Sequence, residues 1–340
     1  MNWELLTTLC NLDGVSGSEG VVRAYIIEEL QKSTVPMDMH IDAMGNLLVH
    51  LKGKAPAENV VQFDAHMDEV GFIITHICDD GTLRFSNIGG INSDVLYGHR
   101  VRIGSTIGVI GGKAMHMCDG GEMKKVPSAD SLRIDIGATS KEEAERKARV
   151  GECGTFDSEF VRLNDTMFRG KAVDDRVGCM LLLEMTKTQP ERDVWLTFST
   201  QEEIGLRGAG VASEQIQPDY IVAIDATTAA DIAGSDDANA VCKVGKGAVV
   251  SFADGATLYD ADLYRRIREL ADKAGIPAQT KNKIAGGNNA GAMQRRGNGA
   301  YAAAVSLPCR YIHSPACMGS AEDVDAMFNL LTLLSSELTK

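Results

Sequence analysis

Two kinds of hydrophobic pattern alternate in the first sixty residues and again after about residue 165. Short apolar runs rich in β-branched residues predict buried strands, and apolar residues three or four positions apart predict helices. The predicted strands are 37–41, 47–51, 60–65, 194–198, 220–224 and 302–307. The predicted helices are 2–10, 18–32 with Ser18 as its N-cap, 177–185, 206–214, 261–274 and a last one that begins after Ser320. This alternation is typical of an α/β fold.

The pattern changes between residues 70 and 164. Segments there are short and β-like, and turn sequences such as Asp79-Asp80-Gly81 and Gly111-Gly112 interrupt them. One helix, 141–149, is predicted from the capping box that begins at Ser140. We therefore expect an α/β domain made of residues 1–69 and 165–340, with a β-rich domain of residues 70–164 inserted into it.

Composition narrows the class of protein. The chain has 340 residues, of which 44% are hydrophobic and 24% charged, as in ordinary globular proteins. Its formal net charge of −13 argues against nucleic acids and anionic membranes as partners, because both are negatively charged. No apolar run approaches the roughly 20 residues that a membrane span needs. The N-terminal residues show no signal-peptide pattern and the cysteines form no C-x-x-C pair, so we expect a cytoplasmic protein with reduced thiols.

Histidines and acidic residues follow four of the predicted strands. They are His66 and Asp68, Glu202 and Glu203, Asp225, and His313. In open α/β sheets, ligands bind at the carboxyl ends of the strands, so these side chains are expected to lie close together. Asp174 and Asp175, which open a helix, are further candidates. Imidazole nitrogens and carboxylate oxygens in this mixture suit zinc, cobalt or manganese.

Two histidines and three carboxylates would be enough to hold a pair of metal ions. One carboxylate would bridge the ions, and each ion would take one histidine and one further carboxylate. Ions roughly 3.5–4 Å apart can share a hydroxide and stabilise the oxyanion of a hydrolytic transition state. A carboxylate that is not a ligand would serve as general base, and the adjacent Glu202 and Glu203 could divide those two roles.

Each candidate also has a simpler explanation. Asp174 and Asp175 could cap a helix and compensate its dipole. Glu202 and Glu203 could form a solvated turn, and the segment from His66 to Asp68 could be a strand-end loop with solvated charges. His313 could be a structural histidine that accepts or donates ordinary hydrogen bonds.

A cysteine nucleophile is a further alternative. Cys309 and Cys317 flank His313, and a cysteine beside a histidine can act as a nucleophile. No glycine-flanked nucleophile turn accompanies them, and this reading would leave the acidic residues at the strand ends unexplained.

Four segments together resemble the M42 family of metallo-aminopeptidases, which includes glutamyl aminopeptidase and the tetrahedral TET peptidases. They are AHMDEVGF at 65–72, GKAVDDRVG at 170–178, QEEIGLRGA at 201–209 and RYIHS at 310–314. The segments occur in the family's order, and the resemblance covers nearly the whole chain. It implies an α/β fold: a mixed-sheet zinc-peptidase catalytic domain with an inserted β-rich, barrel-like dimerisation domain.

The resemblance also implies a role for each matching residue. The metal ligands would be His66 and Asp225 for one ion, Glu203 and His313 for the other, and Asp174 as the bridge. Asp174 is preferred to Asp175 because, in related dinuclear peptidases, the bridging aspartate lies four residues before the helix glycine, here Gly178. Asp68 would orient His66, and Glu202 would be the general base.

The implied function is the release of N-terminal residues from short peptides by attack of a metal-bound hydroxide. Two divalent ions per subunit are expected, zinc or else cobalt or manganese. Family members commonly assemble through dimers into twelve-subunit shells, so a homo-oligomer is expected, with no nucleic acid or membrane partner. The alternatives are deacylation of N-acyl amino acids on the same metals, a glycosidase that uses two carboxylates and no metal, and a non-catalytic assembly protein.

Two positions depart from the family's motifs. The family usually has Gly-Gly-Thr-Asp-Ala-Gly where this chain has Asn288 and Asn289 after Gly286-Gly287. It often has Val-Glu-Met where this chain has Ala316-Cys317-Met318. Each change removes a carboxylate near the expected site, so we expect an effect on substrate preference and efficiency but not on metal binding.

Overall fold

The helices and strands follow the order expected from the sequence. The computed structural model describes residues 1–121, 124–232, 234–235 and 240–340. Its helices are α1 (Trp3–Asn11), α2 (Gly20–Leu30), α3 (Lys141–Glu145), α4 (Val173–Met185), α5 (Ala209–Ile216), α6 (Ala261–Ala274), α7 (Ala290–Met293) and α8 (Ala321–Glu337). Its strands are β1 (Met37–Ile41), β2 (Leu47–Leu51), β3 (Val61–His66), β4 (Gly71–Ile77), β5 (Leu83–Ile88), β6 (Arg100–Ile103), β7 (Thr106–Gly111), β8 (Arg133–Asp135), β9 (Cys153–Phe156), β10 (Val161–Arg162), β11 (Met167–Gly170), β12 (Val194–Ser199), β13 (Tyr220–Thr228), β14 (Ala248–Val250), β15 (Ala278–Thr280), β16 (Tyr301–Cys309) and β17 (Cys317–Ser320).

Eight strands form a mixed sheet in the order β1-β2-β12-β3-β13-β16-β14-β15. The four strands β12, β3, β13 and β16 run parallel, so their carboxyl ends lie at one edge of the sheet. Helix α4 packs against β3 and β13, and the core between them contains Phe63, Leu182 and Val222, all fully buried. The predicted α/β class with a mixed sheet is therefore confirmed.

Six further strands close into a barrel in the order β4-β5-β8-β7-β6-β9. The barrel has its own core, in which Phe72 packs edge to face with Phe85 and Phe156, with ring centroids 5.4 and 5.1 Å away. Its strands run between Gly71 and Phe156, so the barrel interrupts the chain between β3 and α4. The short strand β10 pairs instead with β11, which pairs with β17 in a separate three-stranded sheet.

Buried charges join the barrel to the large sheet at Glu69, two residues before β4. Lys171 Nζ lies 2.8 Å from Glu69 Oε1, and Arg176 Nη2 lies 3.5 Å from the same oxygen. Thr155 Oγ1 in barrel strand β9 donates to Glu69 Oε2 at 2.9 Å. All four side chains are buried, and a buried charge needs such partners to offset its desolvation. Glu69 therefore links the barrel to the segment that leads into α4.

Several helix predictions need correction: the predicted helix 177–185 begins earlier, at Val173, and 206–214 is observed as Ala209–Ile216. Helix α2 begins at Gly20, so Ser18 lies one residue before its N-cap and does not cap it; the Ser18 N–H donates to the Val15 carbonyl at 2.7 Å. Glu19 occupies the N-cap, and its side chain accepts hydrogen bonds from Gly17 N and Gln201 N. The predicted helix 141–149 is shorter, since α3 ends at Glu145. Within the described ranges, no helix is long and apolar enough to cross a membrane.

Candidate metal centre

The predicted metal ligands meet at the carboxyl edge of the central parallel strands. His66 is the last residue of β3, Glu203 follows β12, and His313 follows β16. Asp225 lies inside β13, so the prediction that this strand ends before Asp225 is wrong. The strand continues because β13 and β16 stay paired to their last residues, Thr228 and Cys309.

Asp174 lies between the two histidines. Its Oδ1 is 3.1 Å from His66 Nε2, and its Oδ2 is 3.4 Å from His313 Nε2. The binding atoms of His66, Asp174 and Asp225 lie within 4.8 Å of one another and define site A. Those of Asp174, Glu203 and His313 do the same and define site B. The two sites share Asp174, as a bridged pair of ions would require.

Asp174 and Asp175, adjacent at the start of α4, have different surroundings. Both residues have non-helical backbone angles, and a cis peptide bond joins them. Asp175 Oδ1 accepts the Gly178 N–H at 3.0 Å, and a Cβ at position 178 would lie 2.3 Å from Asp175 Oδ2. Burial raises the pKa of Asp175 well above its ordinary value. Among the residues that the structure describes, Asp175 belongs to neither metal-binding group.

Each histidine has an oxygen beside its Nδ1 and presents Nε2 to the carboxylates. His66 Nδ1 lies 3.1 Å from the Asp68 carbonyl and 3.4 Å from Asp68 Oδ1. The Asp68 carboxylate also accepts the backbone N–H groups of Glu202 and Glu203 at 3.0 and 3.1 Å. His313 Nδ1 lies 2.9 Å from the carbonyl of Gly90. Partners of this kind fix the tautomer and the ring orientation of a metal-binding histidine.

Several acidic groups share a small, poorly solvated volume. Burial and then repulsion from Asp174 raise the pKa of Glu203 to about 8 and the pKa of Asp225 to about 7. Burial raises the pKa of Glu202 well above its ordinary value, with a contribution from Asp225. Burial would also raise the pKa of Asp174, but hydrogen bonds to the two histidines hold it below its ordinary value. Closely spaced carboxyls with such shifts are typical of functional sites and favour cation binding.

The residues present therefore fit two divalent ions. Each site offers one imidazole nitrogen and carboxylate oxygens, which are the donors that zinc, cobalt and manganese accept. The shared carboxylate of Asp174 is the group that would touch both ions. Glu202 is beside the two sites but is in neither metal-binding group of the described chain.

A cavity of about 200 Å³ opens beside the two sites. Its wall includes Glu202, Lys281 and the segment 285–288. Lys281 is 5% exposed, and its Nζ donates to the Ala285 carbonyl at 2.6 Å. Asn288 is held by Tyr259, whose hydroxyl accepts from Asn288 Nδ2 at 2.9 Å. The cavity that the metal-binding residues line is thus also lined by a chain segment and by a nearly buried lysine.

The two departures from the family's motifs have different surroundings. Asn289 does not line the cavity: its buried Nδ2 donates to Asp64 Oδ2 at 2.8 Å and to Ser199 Oγ at 2.9 Å. Asn288 does line it, and Cys317 lines a narrower space beside site B. The expectation that position 289 lies near the substrate is therefore not supported by the geometry, whereas position 288 is placed to contact a substrate.

Sequence reasoning missed two charged residues. Asp64 is an acidic residue inside β3, between the apolar residues Phe63 and Ala65, and that contrast was the available signal. Burial raises the pKa of Asp64 to about 6, although Thr197, Asn289 and Ser199 donate to its carboxylate. Lys281 lies in the short strand-to-loop region after β15, and nothing in its local sequence indicates that it reaches the cavity.

The chain matches known proteins over nearly its whole length. Residues 45–330 match the family model described as M42 glutamyl aminopeptidase. The lysyl aminopeptidase of Pyrococcus furiosus is 34% identical, with 99% of this chain and 98% of that protein aligned. The structure of an aminopeptidase from Desulfurococcus kamchatkensis is similar with a TM-score of 0.92 and 34% identity, covering 98% of this chain and 94% of that one.

A third relative, the TET1 peptidase of Pyrococcus horikoshii, can assemble into a tetrahedron or a large octahedral shell. Its structure is similar with a TM-score of 0.86 and 33% identity, covering 98% of this chain and 99% of that one. Matches of this extent cover both the large sheet and the barrel. This chain therefore belongs to the M42 family of aminopeptidases.

Proposed function

We propose that this aminopeptidase removes N-terminal residues from short peptides with two divalent ions bound at sites A and B. The observation that carries the proposal is the position of Asp174, whose two carboxylate oxygens face the histidines of different sites. A single ion would need only one of these two oxygens and one of the two histidines. Two ions bridged by one carboxylate explain why two histidines and three carboxylates converge here.

Bound ions would lower the pKa of an attacking water and polarise the scissile carbonyl. Glu202 would accept the proton, since it lines the cavity beside both sites and belongs to neither metal-binding group of the described residues. As the water oxygen adds to the carbonyl carbon, one water proton passes to the Glu202 carboxylate. Glu202 then gives that proton to the amide nitrogen as the C–N bond breaks, which releases a free amino acid and a shortened peptide.

Asp68 would position both glutamates for these roles. It accepts the backbone N–H groups of Glu202 and Glu203 on its two oxygens, and it also contacts His66. Ser16 Oγ donates to Asp68 Oδ2 at 2.6 Å, so the carboxylate itself is held. A shift of Asp68 would therefore move a ligand of site A, a ligand of site B and the proton acceptor together.

The cavity supports a preference for peptides that begin with an acidic residue. Lys281 is a nearly buried cation in the cavity wall, and the described part of the chain provides it with no ion-pair partner. A carboxylate on the N-terminal side chain of a substrate would provide that partner, whereas a basic side chain would be repelled. A relative is named lysyl aminopeptidase. The charge of the cavity wall is the feature that would distinguish a preference for acidic N-terminal residues from a preference for lysine.

The barrel is proposed to contribute a contact between subunits. On β7, Ile107 and Val109 are each 43% exposed, and alternate residues of a strand point to the same face. Interfaces often bury a contiguous exposed apolar surface, and these two side chains would form part of one. A homo-oligomer with contacts through this strand would be consistent with the shells that the Pyrococcus horikoshii TET1 peptidase forms.

A panel of aminoacyl-p-nitroanilides tests the proposed activity. Protein treated with EDTA should be inactive, and zinc, cobalt or manganese should restore release of p-nitroaniline. The restored activity should require two ions per chain, measured by mass spectrometry of bound metal. Failure to hydrolyse any aminoacyl substrate with any of these metals would contradict the proposed function.

A further inference from the structure

The two histidines of the metal centre are oriented by different parts of the chain. His66 Nδ1 is held by Asp68, two residues away on the same segment, and the His66 side chain is 2% exposed. His313 Nδ1 is held by the Gly90 carbonyl, and its side chain is 31% exposed. Gly90 belongs to the connection between barrel strands β5 and β6. The partner of His313 thus comes from the barrel, whereas none of the five predicted metal ligands does.

The turn at Gly89-Gly90 packs directly against site B. A Cβ at position 90 would lie 3.3 Å from His313 Nδ1, and one at position 89 would lie 3.3 Å from the Cβ of Glu203 and 2.7 Å from Val70. Gly89 also has a φ of +80°, which favours glycine. The turn Gly89-Gly90 therefore lies close to both metal-binding side chains that only site B uses, and added side-chain atoms there would push against them.

The Gly90 carbonyl determines which nitrogen of His313 is available. A carbonyl oxygen only accepts hydrogen bonds, so the nitrogen beside it must carry the proton. In a neutral imidazole with the proton on Nδ1, the lone pair is on Nε2. Nε2 is the atom that lies 3.3 Å from Glu203 and 3.4 Å from Asp174.

We propose that the Gly89-Gly90 turn of the inserted barrel is a positioning element for the ion at site B and has no such role at site A. The inference rests on the metal sites of the proposed function. The barrel would then contribute to the metal centre in addition to any contact between subunits. Displacing the turn should weaken one of the two ions and leave the other unchanged.

Gly90→Val in the full-length protein tests this positioning role, with Gly111→Val as the matched control. Gly111 is also a barrel glycine, but an added Cβ there would meet no atom within 4 Å. Zinc would be titrated into metal-free protein by calorimetry, and bound zinc would be counted by mass spectrometry. The wild-type protein and Gly111→Val should bind two ions. Gly90→Val should bind the first normally and the second about 10–100-fold more weakly, as expected when a partner of a metal-binding histidine is displaced.

Combining Gly90→Val with a second variant, His313→Ala, identifies which of the two sites is weakened. His313→Ala should retain only the ion at site A, and adding Gly90→Val to it should leave that affinity unchanged. Unchanged affinities in Gly90→Val, or equal weakening of both ions, would overturn the inference. If Gly90→Val does not fold, as judged by circular dichroism, Gly90→Ala decides by the same measurements. A wild-type protein that binds no zinc would instead refute the metal sites of the proposed function.

Discussion

Oδ1 of Asp174 lies 3.1 Å from Nε2 of His66, and the other oxygen of the same carboxylate faces the second histidine of the metal centre. Asp174→Ala should therefore reduce bound metal from two ions per chain to none. Asp175→Asn is the matched control, because an amide oxygen can still accept the Gly178 N–H that Asp175 accepts. It should retain two ions. Metal content by mass spectrometry after dialysis decides, and an Asp174→Ala protein that keeps two ions would exclude the bridging role.

The adjacent glutamates are expected to have separable roles. Glu202→Gln should keep both ions and bind substrate but lose about 10²–10⁴-fold in kcat, because the amide cannot accept the proton of the attacking water. Glu203→Gln should instead weaken the ion at site B, and excess metal should partly recover its activity. Metal content and kcat of both variants would be measured side by side. Loss of metal in Glu202→Gln with retention in Glu203→Gln would show that the roles are reversed.

The charge of Lys281 is expected to determine substrate preference. Lys281→Met should lower kcat/KM for Glu-p-nitroanilide by about 10-fold or more, because a charge-assisted hydrogen bond contributes about 1.5–3 kcal/mol. The nearly isosteric Gln-p-nitroanilide should be hydrolysed as before. Lys246→Met, at an exposed position, is the control and should change neither value. An equal loss for both substrates would mean that Lys281 only supports the loop through the Ala285 carbonyl.

The apolar face of β7 predicts how the assembly can be broken. Ile107→Lys combined with Val109→Lys should reduce the protein to small species on size-exclusion chromatography with light scattering, since two ammonium groups would have to be desolvated at the contact. Val21→Lys, on the exposed face of α2, tests a comparably exposed apolar residue outside the barrel. Persistence of the wild-type mass in the double variant would show that β7 is not a subunit contact.

Lys171 and Glu69 form a buried ion pair, so the effects of replacing them on the free energy of unfolding are expected to be strongly coupled. Lys171→Met would leave the Glu69 carboxylate without its nearest cation, and breaking a buried pair in this way typically costs about 3–5 kcal/mol in the free energy of unfolding. Adding Glu69→Gln should cost less than the same change in the wild-type protein, because its nearest partner Lys171 is already absent and only the longer contact to Arg176 is lost. Urea unfolding followed by circular dichroism measures both. Additive losses in the double variant would contradict the coupling.

Much of the large sheet could be predicted from local pattern. Strands β1 and β2 and helix α6 were predicted with their observed ends. In α6, Asp260 provides the N-cap and Gly275 ends the helix in a left-handed conformation, so both ends have local signals. The three-residue strands β14 and β15 were missed, because so short a segment becomes a strand only through pairing with a distant one.

Of the candidate site, only the candidate metal ligands and the residues beside them in the motifs could be predicted from the sequence. Their residue types and the family's motifs identified the positions, and the fold then placed the side chains at one edge. Lys281 and Gly90 could not be found in this way. Lys281 reaches the cavity through the packing of distant segments, and Gly90 acts through its backbone carbonyl, which every residue has and no side-chain pattern reveals.

The order of the strands has a consequence for biosynthesis. Strand β16, which leads to His313, is among the last to be made, yet it lies inside the sheet between β13 and β14. A chain emerging from the ribosome exposes His66 and Asp174 long before His313, so under the proposed assignment a nascent chain has no second metal site. Hydrolytic activity would thus begin only when synthesis is almost finished.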